Sequence, residues 1–119
     1  MRTITGTEWR ITEIDGEPIA ADEGGRPVRL RLDDAERRFA ASAGCNNMIG
    51  AYRIEREALI FGAAATTMMM CEDAVMQRER ALLDALTWTR AYVIEDDDLV
   101  LLSGTGNVLV RACASTEDA

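Results

Sequence analysis

The strongest constraint on the fold is strict alternation of apolar and charged residues in the stretch PVRLRLD, at positions 27–33. Val28, Leu30 and Leu32 alternate with charged residues, which is the period of two expected for a strand with one buried and one wet face. Weaker segments of the same kind recur along the chain at 8–14, 39–43, 51–55, 59–61, 91–94, 99–102 and 108–111. The sequence therefore predicts about eight short strands.

Turn-forming residues separate these segments, and such short connections favour antiparallel pairing. One segment differs: residues 73–86 are rich in helix formers and place Val75, Leu82 and Leu86 near one stripe. We therefore predict an α+β fold, in which a curved, mainly antiparallel sheet, partly closed like a barrel, packs with one α-helix. A chain of 119 residues fits one domain, 1–119, with a frayed polar tail at 115–119.

Charge and composition exclude several classes of function. A net charge of −8 has the wrong sign for binding nucleic acid. The chain contains no histidine, and its thirteen basic residues are all arginine, so the usual general bases are missing. We therefore expect neither an enzyme nor a resident cofactor or metal. No apolar run approaches the roughly 18 residues of a membrane span, and a chain that begins after a removed export signal or anchor would look the same.

Two stretches contain the cysteines that are candidates for a functional site: GCNNMIG at 44–50 and TTMMMC at 66–71. The glycines and asparagines of the first predict a tight turn between two strands. Cys45 and Cys71 have three interpretations: a disulfide, buried thiols or a reactive centre. In an exported protein a bridge would contribute about 3 kcal/mol by restricting the unfolded chain, but Cys113 leaves the pairing open. None of the cysteines shows the close spacing of a zinc site.

The chain is also rich in methionine around these stretches. Thioethers can bind Cu(I), but methionine more often fills irregular cores or forms adaptable contact surfaces. We assign part of the cluster to the core and predict a possible interaction surface for a partner at Met48, Met68 and Met70.

Taken in order, the motifs resemble the META domain family, also called HslJ-like. The resemblance covers most of the chain and rests on G-T-x-W at 6–9, D-G-x-P at 15–18, G-C-N-x-x-x-G-x-Y at 44–52, L-x-F at 59–61, T-x-M-x-C at 67–71, a helix containing Glu79 and Leu82, and Y-x-I with L-x-L between 92 and 101. The family-motif residues are Trp9, Gly44, Asn46, Gly50, Tyr52, Thr67 and Met69. Two positions depart from the pattern: Ala41 stands where the family often has glycine, and Met68 where a basic residue is common.

This resemblance implies a compact β-rich domain of the bacterial envelope or periplasm, often lipoprotein-like, associated with stress response or drug tolerance and without an agreed catalytic activity. A cytoplasmic location is the alternative. We therefore predict a non-enzymatic binding or interaction domain whose partner is an unknown protein or a small apolar ligand. The second hypothesis is a hydrophobic-ligand carrier that uses the interior of the curved sheet, and the third is a thiol-dependent enzyme.

Overall fold

The fold is seen in a computed structural model that describes residues 3–19 and 27–115. Within these residues the chain forms nine strands and one helix. In chain order they are β1 (Glu8–Ile14), β2 (Glu17–Pro18), β3 (Arg29–Asp33), β4 (Arg38–Ser42), β5 (Asn47–Glu55), β6 (Ala58–Thr66), α1 (Asp73–Trp88), β7 (Thr89–Glu95), β8 (Asp98–Ser103) and β9 (Val108–Ala114).

The strands form one antiparallel sheet that closes on itself. Its order is β2-β1-β3-β4-β5-β6-β7-β8-β9, and β1 also pairs with β9. Eight strands therefore make a complete barrel, and β2 is an additional strand at β1. The predicted α+β class is confirmed, and the closure is fuller than the partly closed sheet that the sequence suggested. The thinnest junction is β6 with β7, where Ala58 pairs with Ala91 and the helix forms the connection.

The alternation in the sequence fixes which side chains fill the barrel. Leu30 and Leu32 are fully buried and Val28 is 4% exposed, whereas Arg29 and Arg31 lie in solvent. The largest fully buried side chains line the interior together: Trp9, Ile11, Leu30, Leu32, Phe39, Met48, Leu59, Leu82, Leu86, Leu99, Leu101 and Val110. Since each contributes about 1.5–3 kcal/mol on burial, this core dominates the stability of the fold.

The helix belongs to the same core. Leu82, Ala85 and Leu86 are buried, whereas Val75, which the predicted stripe included, is only half-buried. The helix runs two residues beyond its predicted end, and Thr89 then closes it: its N–H donates to Leu86 O and its hydroxyl to Ala85 O. These bonds satisfy carbonyls that a helix end otherwise leaves without partners.

The predicted turn at 44–50 is correct only in its first half. The chain bends at residues 43–46, where Gly44 adopts a φ of 109°, which favours glycine. From Asn47 onward it is already strand β5. Gly50 lies opposite Phe39 in the sheet, and its lack of a side chain serves packing and not a turn.

Replacing Gly50 with alanine is expected to lower the free energy of unfolding by about 2 kcal/mol, as overpacked cores do. The new Cβ would stand 2.7 Å from Phe39 Cε1 and 2.8 Å from the carbonyl oxygen of Ala63, which as backbone cannot move aside cheaply. Gly104→Ala is the matched control, because its Cβ would meet only Arg90 Cγ at 3.6 Å. Equal urea midpoints for the two variants would contradict this account of Gly50.

The C-terminal end differs from the prediction in two ways. Strand β9 continues to Ala114, so Cys113 lies within it and not beyond it. Ser115, placed in the frayed tail by the sequence, is 8% exposed, and its N–H donates to Glu8 O at 2.9 Å. The remainder of the predicted tail, 116–119, lies outside the described residues.

Candidate functional site

The two cysteine-bearing stretches meet around Asn46, a polar residue that is only 2% exposed. Its Oδ1 accepts hydrogen bonds from the Thr67 hydroxyl at 2.9 Å and from the Met69 N–H at 2.6 Å. Its Nδ2 donates to Met69 O at 3.1 Å and to Glu79 Oε2 at 3.0 Å. A side-chain amide has two donors and two acceptor sites, so Asn46 uses its full capacity inside the protein.

The same network reaches the helix through Glu79. Its Oε1 accepts the backbone N–H of Asn46 at 3.0 Å, so one carboxylate holds both the backbone and the side chain of that residue. The neighbouring Arg78 donates from Nη1 to Ala43 O at 3.3 Å. The loop before β5, the segment after β6 and helix α1 are thereby joined by buried or half-buried polar contacts. We call the set Asn46, Thr67, Met69 and Glu79 the asparagine clamp.

Cys45 and Cys71 form a disulfide beside this clamp, with their Cα atoms 6.3 Å apart. Cys45 is 1% exposed, so the bridge is buried at one end. In the bonded state neither sulfur is a thiolate nucleophile, which leaves Cys113 as the free thiol of the described chain. Cys113 is half-buried in β9, opposite Arg10 on one side and Asp98 on the other.

The methionines divide sharply by exposure. Met48 is fully buried, so its predicted place in an interaction surface is wrong: as the second residue of β5 it points into the barrel. Met68 and Met70 are 91% and 89% exposed, and Met69 between them is 47% exposed. We call Met68–Met70 the methionine tip. The Asn46 side chain holds both the N–H and the carbonyl of Met69, so the backbone of the tip is held at its central residue.

Of the seven family-motif residues, Asn46, Thr67 and Met69 come together in the clamp. Gly44 lies in the bend just before Asn46, and the others have separate roles. Trp9 is fully buried in the core, and its indole N–H donates to Ile4 O at 3.0 Å. Gly50 gives room to the Phe39 ring. Tyr52 donates from its hydroxyl to Asp33 O at 2.8 Å and lines an open cleft of about 280 Å³ with Arg37 and Tyr92.

Burial raises the pKa of Tyr52 above its ordinary value of 10.0, and the charges of Asp34 and Asp33 raise it further against the opposing charge of Arg37. Because the folded-state pKa is the higher one, the stabilising contribution is complete below pH 10.0 and is lost as the pH rises through the folded-state pKa.

The free energy of unfolding should therefore fall as the pH rises above 10. In the Tyr52→Phe variant the free energy of unfolding should fall less steeply over the same pH range. At neutral pH the variant should also be less stable by about 1 kcal/mol, because it lacks the hydrogen bond from the Tyr52 hydroxyl to Asp33 O. Urea unfolding of both proteins from pH 8 to about 12 measures this. The chain has no lysine, and the remaining titrating groups are common to both proteins. Parallel curves for the two proteins above pH 10 would refute the assignment.

One open groove of about 490 Å³ runs between the hairpin of β1 and β2 and the helix, with Ile14, Ile19, Gln77 and Ala81 among its walls. Fully buried side chains such as Trp9 and Phe39 line the interior of the barrel. Every buried side-chain nitrogen or oxygen of residues 3–19 and 27–115 has a hydrogen-bond partner, so the core directs no unpaired polar group at a ligand.

Nowhere in 3–19 or 27–115 do three carboxylates or thiols gather in a group able to hold a metal ion. The acidic run Glu95–Asp98 forms the turn between β7 and β8. No helix in the described part of the chain has the length and apolar character needed to cross a membrane.

Solved structures share this architecture. An NMR structure of a protein from Burkholderia xenovorans is 27% identical, with a TM-score of 0.75 over 95% of this chain and 84% of that one. A second NMR structure is 16% identical, with a TM-score of 0.71 over 95% of both chains. A crystal structure of a DUF4847 family protein from Bacteroides vulgatus is 12% identical, with a TM-score of 0.63 over 92% and 93% of the two chains. The latter two likenesses show the fold alone.

Comparison with curated proteins gives no significant match. The sequence model of the META domain, in contrast, matches residues 2–116. These limits include both cysteine-bearing stretches, the helix and all nine strands. The chain belongs to the META domain family.

Proposed function

We propose that the protein is a non-enzymatic interaction module of the bacterial cell envelope, linked to stress or drug tolerance, and that the methionine tip is its contact with a protein partner. The observation that carries this proposal is the exposure of Met68 and Met70 on a backbone that the asparagine clamp and the disulfide hold in place. Two long apolar side chains in solvent contribute nothing to the core of this fold.

Such a tip suits binding energetically. Burying a methionine side chain against a partner contributes about 1.5–3 kcal/mol, and thioether side chains adapt to irregular surfaces. Binding also costs free energy when loops must first become ordered. Here the backbone of Met69 is already held by two hydrogen bonds with the Asn46 side chain, so part of that cost is avoided at the tip.

The disulfide supports the envelope as the compartment. Disulfides persist in oxidising compartments such as the periplasm and are rare in the reducing cytosol. The bridge closes a loop with a sequence separation of 26, and the helix begins just after Cys71. A protein kept in the cytosol would lose this restraint on the position of the tip.

The rival functions have less support. The proposed carrier needs an interior cavity, but the barrel is filled by side chains as large as Trp9 and Phe39. A thiol enzyme at Cys45 or Cys71 would need a free thiolate, and both sulfurs are bonded to each other. The polar groups of the asparagine clamp already form hydrogen bonds with one another.

Site-specific photo-crosslinking tests the tip. A photoreactive methionine analogue at position 68, in the full-length protein expressed in its own host, should give a discrete crosslinked protein band in intact cells. The matched control places the same group at Glu57, an exposed residue of the β5–β6 turn. Equal crosslinking from both positions, or none from position 68, would contradict the proposal.

The compartment is tested separately by trapping thiols with acid and an alkylating agent in living cells. We expect Cys45 and Cys71 to escape alkylation and the protein to be recovered in the envelope fraction. Recovery from the cytosol with both thiols alkylated would exclude the envelope assignment.

A further inference from the structure

We propose that Met68 and Met70 are modification sites, oxidised reversibly by peroxides, and that forming their sulfoxides changes the methionine tip from an apolar to a polar surface. The inference rests on the proposed function, because it names how binding at that same tip would be regulated.

The oxidation of a side-chain sulfur depends on its exposure to solvent. Met68 and Met70 are 91% and 89% exposed, the highest values among the exposed large apolar residues of the described chain. Met48 is fully buried, and Met76 on the helix is half-buried. The protein therefore contains both the reactive pair and an internal reference that the barrel protects.

The chemistry is a two-electron oxidation. A lone pair of the thioether sulfur attacks one oxygen of hydrogen peroxide, the O–O bond breaks, and the sulfur becomes a sulfoxide. The departing hydroxide takes the proton of the new S–OH group and leaves as water, so the sulfur is oxidised and the peroxide is reduced. Methionine sulfoxide reductases reverse the change with thiol reductants.

The consequence should stay local because the side chains of Met68 and Met70 lie outside the core. The contacts that fix this segment involve the Met69 backbone, the Thr67 hydroxyl and the disulfide, and none of them uses a tip thioether. A sulfoxide is polar and chiral, so the oxidised tip should bind an apolar partner surface less tightly. Oxidation would thus alter binding without unfolding the barrel.

The test treats the purified, disulfide-intact protein with hydrogen peroxide and follows each methionine by peptide mass mapping. Met68 and Met70 should gain oxygen at least tenfold faster than Met48. The oxidised protein should also elute earlier from a phenyl hydrophobic-interaction resin, and reductase treatment should restore its retention. The variant Met68→Leu/Met69→Leu/Met70→Leu keeps an apolar tip that peroxide cannot oxidise, so the treatment should change its retention far less than that of the wild type.

Oxidation of Met48 as fast as Met68 would overturn the inference, as would an equal change in retention for wild type and the leucine variant. Crosslinking from a photoreactive group at Met69 separates this failure from that of the proposed function. A crosslink whose yield oxidation leaves unchanged would refute regulation while retaining the partner. Absence of any crosslink from positions 68 and 69 before oxidation would refute the partner, and the mapping and retention results would still decide the modification.

Discussion

Asn46→Ala should lower the free energy of unfolding by about 4 kcal/mol, because it removes one side chain from four hydrogen bonds. Each bond contributes about 1 kcal/mol, and a partner left buried without a replacement costs more. Glu79 would keep only its bond from the Asn46 backbone, and the Met69 N–H would lose its acceptor. For a domain of this size, such a loss is a large part of the total stability.

Asn47→Ala is the matched control for this variant. Asn47 is the same residue type, one position further along, but its side chain is exposed and its contacts with Thr67 are made by its backbone. We expect a change within about 0.5 kcal/mol, as for ordinary surface substitutions. Urea unfolding followed by circular dichroism measures both. A loss below about 1 kcal/mol for Asn46→Ala would mean that the clamp adds little to the fold.

Removing the disulfide should have the second largest effect. Cys45→Ala/Cys71→Ala is expected to cost about 3 kcal/mol, since the unfolded chain regains the freedom that the bridge removes. The cross-link spans strands β5 and β6, with a sequence separation of 26 between the cysteines. Reduction of the wild-type protein with dithiothreitol should produce a similar loss, and thermal unfolding with and without reductant measures it.

Cys113→Ala separates this effect from a general sensitivity to losing sulfur. Cys113 has no disulfide and is half-buried, so its variant should change stability by less than about 1 kcal/mol and should respond to reductant like the wild type. The double variant should be indifferent to reductant. A reductant-sensitive double variant would show that the measured loss comes from elsewhere.

The sequence predicts the barrel best where each strand carries its own alternation. The bounds of β1 agree with the prediction, and Leu30 and Leu32 face the core as expected. The second half of β6 has no such signal, because Gly62 and the alanines after it have weak strand preference. It is a strand because β5 pairs with it along its length. Closure of β1 on β9 depends likewise on pairing between distant parts of the chain.

The candidate site shows the same division. Family resemblance selected Asn46, Thr67 and Met69, but no local pattern indicates that they contact one another or that Glu79 joins them from 33 residues away. The local preference of asparagine and glycine for turns led to the wrong assignment of residues 47–50. The burial of Met48 could not be predicted from the local sequence either, because the direction of its side chain depends on the register of β5 with β4 and β6.

Amide hydrogen exchange at Met69, observed by NMR, tests most directly whether the methionine tip is held in place. Its N–H donates to Asn46 Oδ1 at 2.6 Å, so it should exchange far more slowly than an unstructured peptide in the wild-type protein and lose that protection in Asn46→Ala. Exchange at the unprotected rate in the untreated, disulfide-bonded wild-type protein would show that the tip is a free loop and would contradict the account.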